Sequence, residues 1–239
     1  MNRLSSELFR LYSPVALPDA ATSDGHLALW DDQGRVRALV LELGRPAHWA
    51  ALSVVWQGVQ ADLGLPAPAI VVQGVDAYQL WFSLSEPLAA HQAQAFLQAL
   101  VARYLAEVAP HRLRLLPSTD PALPAADRHA AVVPQRLADE QWSAFVSADL
   151  APMFTETPWL DMAPNLDGQA GLLAGLKCIQ PGAWREAITR LQPAPFVVSA
   201  AHHGHVDPKH FLQGVMNDDA VPMSLRIEAA KALLLYTRD

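Results

Sequence analysis

The feature that most constrains this chain is the order of its apolar segments between residues 36 and 117. The run "VRALVLELG" alternates as a strand does, and "PAHWAALSVVWQGVQADLG" then switches to helical spacing. In the latter, Trp49, Leu52, Val55, Trp56, Val59 and Leu63 fall on one stripe, with Pro46 near its start and Gly64 at its end. "APAIVVQG" and "AYQLWFSL" read as two strands of a hairpin joined through Gly-Val-Asp. A long helix follows in "PLAAHQAQAFLQALVARYLAEVA", with Leu88, Phe96, Leu97, Leu100, Tyr104 and Leu105 toward its buried side, and "HRLRLLP" is again a strand. Strand, helix, strand, strand, helix, strand is the βαββαβ ferredoxin-like unit, also the fold of RNA-recognition modules (RRM). It predicts an α+β class, with an antiparallel sheet and both helices on one of its faces.

Around this RRM-like core (36–117) the remaining segments are placed by the same signals. "SSELFRLY" reads as a short N-terminal helix, and "HLALW" as an extra N-terminal strand turning through Asp32, Gln33 and Gly34. After Pro117 the pattern becomes proline-rich and then mostly helical, ending in "DPKHFLQGVMND" and "PMSLRIEAAKALLLYTR". The expected division is an α+β domain over 1–135 and a mostly helical C-terminal region over 136–239 packed on it.

With 51% apolar and 17% charged residues, the chain can bury a sizeable core. No stretch approaches the roughly 20 apolar residues of a membrane helix, and "MNRLSSELFRLYSP" lacks a signal peptide's apolar centre. The lone Cys178 excludes an internal disulfide and fits a cytoplasmic location. A formal charge of −7 argues against a strongly basic nucleic-acid binder.

Strand alternation sorts the side chains into two faces. Tyr78, Leu80, Phe82 and Leu84 form the row expected under the helices, beside Leu39, Leu41 and Leu43. The opposite face is expected to carry Glu42, Gln79, Trp81, Ser83, Arg112 and Arg114. If open, such a face suits phosphate contact, base hydrogen bonding and stacking. It also suits a solvated sheet surface without function, or one covered by the last hundred residues.

"VVQGVDAYQLWFSLSEPL" resembles the central motif of RepB-like plasmid primases in the archaeo-eukaryotic primase (primase-polymerase) superfamily, through Gly74, Tyr78, Gln79, Trp81, Glu86 and Pro87. "RALVLELG" lies where that family carries a metal-binding Asp-x-Asp strand, and "RLRLLPSTD" resembles its Arg-Leu-Pro-Gly stretch. The resemblance covers roughly residues 27–120. It implies a primase-like, DNA-replication-linked protein of a mobile genetic element, binding single-stranded DNA or nucleoside triphosphate. Catalytic roles would fall to Glu42 and Gln79, and substrate contacts to Gly74, Tyr78, Trp81, Arg112 and Arg114. Two-metal phosphoryl transfer needs clustered carboxylates for Mg²⁺ or Mn²⁺, yet the metal strand here reads Leu41-Glu42-Leu43. Asp76 and Asp120 are the other acids nearby in sequence, with Glu42 and Asp120 the candidate metal ligands. The expectation is reduced or lost polymerase activity, and the alternative is a non-catalytic module that uses the same fold to bind a protein partner.

The C-terminal "DPKHFLQGVMNDDAVPMSLRIEAAKALLLY" resembles a helical tail of phage terminase small subunits and implies no catalytic role. His202, His203, His205, Asp207 and His210 cluster densely enough to suggest a metal site and a hydrolase, although no zinc-type spacing such as H-E-x-x-H is present. No phosphate-binding P-loop, dinucleotide fingerprint or nucleophile elbow occurs.

Overall fold

The Gly74 hairpin organises the sheet of the first of two compact units, residues 1–193 and 194–239. The computed structural model describes residues 2–14, 22–23, 26–27, 29–74, 76–124, 126–192, 208–218 and 221–236. The first unit contains α1 (Arg3–Tyr12), β1 (Arg35–Gly44), α2 (Trp49–Ala61), β2 (Ala69–Val72), β3 (Ala77–Ala89), α3 (Ala90–Tyr104), β4 (Leu113–Leu116), β5 (Ala144–Val146), α4 (Leu166–Ala174) and α5 (Pro181–Leu191). The second contains α6 (Pro208–Asn217) and α7 (Met223–Tyr236), which pack on each other. No helix among the described residues is long and apolar enough to cross a membrane.

The five strands run in the order β4-β1-β3-β2-β5, every pair antiparallel. The first four positions are the order of the βαββαβ unit, so the α+β reading holds. The fifth strand differs from expectation. Among its described residues, the N-terminal arm supplies the ladder Thr22–Ser23 with His26–Leu27 and a bridge, Trp30 to Val36. The edge is instead extended by β5, so residues 136–192, placed by the sequence with the C-terminal region, complete the first unit.

Two hydrophobic cores lie on opposite sides of the sheet. Leu39, Leu41, Leu43, Ile70, Val72, Tyr78, Leu80, Phe82 and Leu84 pack with Leu52, Val55 and Val59 of α2 and Phe96, Leu97 and Leu100 of α3. Trp184 of α5 stacks at 4.5 Å on Phe96. On the other side, Val40, Val71, Trp81, Leu116 and Phe145 meet Leu4, Leu11 and Tyr12 of α1 and Ala170 and Leu173 of α4. The expected open face is therefore covered, because two short helices from either end of the unit bury their apolar sides on it.

Arginines fasten this second layer. Arg37 on β1 donates to the carbonyls of Arg10, Ser13 and Leu84, tying the end of α1 to the sheet. Arg10 donates to the carbonyls of Leu173 and Leu176 at the end of α4, where a cation meets the negative end of the helix.

Glutamines serve both edges. Gln94 of α3 donates to the carbonyls of Leu115 and Pro117 at the β4 edge. Gln169 of α4 accepts from the Phe145 amide at 2.7 Å and donates to the Phe145 carbonyl at 2.9 Å. One amide side chain thus replaces a missing neighbouring strand. Gln169→Leu keeps the volume and strands both Phe145 groups, so it is expected to cost about 2–4 kcal/mol. Urea unfolding checks this, and an unchanged midpoint would deny the edge-sealing role.

Candidate functional site: the polar row of the sheet

Strand register sets the row. Glu42 lies opposite Gln79 on β3 and Arg114 on β4, and Gln79 lies opposite Val71. One step along, Val40 pairs with Trp81 and Leu116. The side chains form a continuous chain of contacts. The Trp81 indole N–H donates to Gln79 Oε1 at 2.7 Å, and Gln79 Nε2 donates to Glu42 Oε2 at 2.7 Å. The Arg114 guanidinium lies 3.6 Å from Glu42 Oε1 and also donates to the Asp127 carbonyl.

This row is interior. Gln79 is 2% exposed, Trp81 1% and Glu42 7%, with Arg114 at the rim. The Trp81 ring meets Tyr12 of α1 edge-on at 5.0 Å and Phe145 at 6.1 Å. Burial and the nearby Cys178 thiol push the Tyr12 phenol far above its ordinary range. Ser83, also buried, points its hydroxyl toward the Lys177 carbonyl at 3.4 Å. Each polar group of the Trp81–Gln79–Glu42 chain has a partner, as a buried polar network requires.

The remaining candidates disperse. Tyr78 is buried on the opposite side of the sheet, where its hydroxyl donates to the Ala151 carbonyl; burial raises its phenol. Gly74 adopts φ +94°, and a Cβ there would collide with Leu137 Cδ1, so glycine is needed for backbone geometry and close approach. Arg112 stands in a 3₁₀ turn (Pro110–Arg112) that ends where β4 begins, and its guanidinium holds the carbonyls of Gly44 and Pro46. Asp76 Oδ1 accepts from the Ala47 amide, closing the β1–α2 turn beside the hairpin. Asp120 is exposed in a loop and accepts from the Ala122 amide.

The carboxylate cluster that two divalent ions require is not built in this row. Glu42 is its single acid, and its two oxygens face an amide donor and a guanidinium. No group of three or more His, Cys, Asp or Glu fit to hold a metal occurs among the described residues. His202, His203, His205 and Asp207 lie outside those residues, and His210 falls within α6.

Two contributors escape the sequence reading. Tyr12 reaches Trp81 from α1, and Asp127 offers Arg114 a main-chain carbonyl. The available signal for the first is the apolar spacing of Leu4, Leu8, Leu11 and Tyr12, which marks α1 as a helix needing a surface to cover. No family model matches the chain, and the comparison with curated proteins finds no match.

Proposed function

We propose that this chain is a primase-like α+β protein without polymerase chemistry, acting as a non-catalytic protein-interaction module. The observation that carries this reading is the Trp81–Gln79–Glu42–Arg114 row, whose groups bond to one another while Trp81 packs beneath α1 and α4. A working nucleotide site needs a carboxylate free to take metal and an aromatic face free to stack. Here the carboxylate is paired, and the indole is packed between Tyr12 and Phe145. A net charge of −7 adds long-range repulsion toward nucleic-acid phosphates.

The test is a fluorescence titration with short single-stranded DNA and with nucleoside triphosphate, each with and without Mn²⁺, at low salt. No saturable binding is expected up to about 1 mM ligand, the weak end of specific affinity. Metal-dependent, saturable binding would overturn the reading and favour a nucleotide site.

A further inference from the structure

The charge of this chain is not spread evenly. Residues 137–176 hold six carboxylates (Asp139, Glu140, Asp149, Glu156, Asp161 and Asp167) and no Lys, Arg or His. Nearly the whole formal charge of −7 thus falls in one segment. Asp149, Glu156, Asp161 and Asp167 are exposed, and no ion pair engages them among the described residues.

The same segment leaves large apolar side chains in water. Met153 is 75% exposed and Met162 73%, with Leu150 and Leu166 about half exposed. Each such side chain leaves apolar surface in water that a partner can cover, and methionine adapts its shape to varied partners. The backbone that presents them is pinned to the sheet. Trp142 and Leu160 exchange two main-chain hydrogen bonds, Pro158 accepts from the Gly74 amide, and Gln169 holds Phe145. An apolar cavity of about 190 Å³ lies beside β5, lined by residues that include Trp56, Pro68, Phe145 and Leu172.

We propose that residues 147–172, the excursion around the β5 edge, form the docking surface for a basic amphipathic segment of a partner protein. The proposal rests on the interaction-module reading and names its partner class. Charge complementarity selects the occupant: apolar side chains next in sequence to carboxylates that no described ion pair engages favour a segment whose apolar face is flanked by Lys or Arg. An acidic or neutral apolar segment would leave those carboxylates desolvated beside no counter-charge. Phosphate-bearing polymers are repelled by the same groups.

The experiment uses the full chain and a labelled Lys/Leu amphipathic helical peptide, with a Gln-for-Lys version as neutral control, read by fluorescence anisotropy. Saturable binding is expected at low salt, weakening at least about tenfold when salt rises to roughly 0.3 M. The variant Asp149→Lys/Glu156→Lys/Asp161→Lys should weaken it about tenfold or more, and so should Met153→Ser/Met162→Ser. A control variant, Asp32→Lys/Glu86→Lys/Glu107→Lys, makes the same change in net charge at exposed positions elsewhere. It should stay within about threefold of the parent, the residual effect of net charge alone.

Circular dichroism melts of each variant keep loss of fold separate from loss of binding. Equal weakening in the control, full binding by the methionine variant, equal binding of the neutral peptide or no binding at all would each overturn the proposal. None of those results bears on the nucleotide titration, so the interaction-module reading stands or falls separately.

Discussion

Trp81→Ala is expected to lower the unfolding free energy by about 3–5 kcal/mol, as for other large aromatics cut from a packed core. The indole is 1% exposed and sits where β3, α1 and β5 converge, against Tyr12 and Phe145. Truncation opens a void that the flanking strands cannot collapse into, because Val40 and Ala69 are fixed opposite it by the sheet register. It also removes the N–H that satisfies Gln79 Oε1. The loss is a large fraction of the roughly 5–15 kcal/mol available to a folded domain. Chemical denaturation measures it, and Trp81→Phe should recover part of the packing while leaving Gln79 short of a donor. A Trp81→Ala protein as stable as the parent would mean that the second core does not exist.

Gln79→Ala should cost about 3–5 kcal/mol, the range for breaking a buried charged network. Gln79 is the link between Trp81 and Glu42, so its loss strands an indole N–H and a carboxylate oxygen in the interior. Removing one partner of a buried polar pair costs the desolvation of the group left behind. Gln79→Met is the discriminating companion: it keeps most of the volume and removes both hydrogen bonds, so any loss it shares with Gln79→Ala is polar in origin. On a working nucleotide face, the same substitutions would impair binding and leave the melting temperature in place. The two readings predict opposite patterns from the same protein samples.

Much of the fold is legible because period-2 and period-3.6 patterns alternate clearly between residues 36 and 117, with Gly64 at φ +68° closing α2 as its position suggests. The polar row is legible for the same reason: alternation places Glu42, Gln79 and Trp81 on one face, and the register confirms it. What alternation cannot reveal is whether a face is covered. The covering helices are short, ten residues in α1 and nine in α4, and lie far from the strands in sequence. The fifth strand is three residues long, too brief for any periodicity. Arg112 is misplaced because β4 begins at Leu113, and Pro110 just before it was the signal for a turn.

The most direct measurement is carboxyl footprinting of the folded protein with carbodiimide and an amine, read by mass spectrometry. Glu42 and Asp120 are the two acids proposed as metal ligands from sequence, and they differ in setting: one is buried and paired with Gln79 and Arg114, the other lies in an exposed loop. Glu42 is expected to label at least roughly tenfold more slowly than Asp120, since it must wait for local opening. Glu42 labelling as fast as Asp120 would contradict it, and would restore an open sheet face with a carboxylate ready for metal.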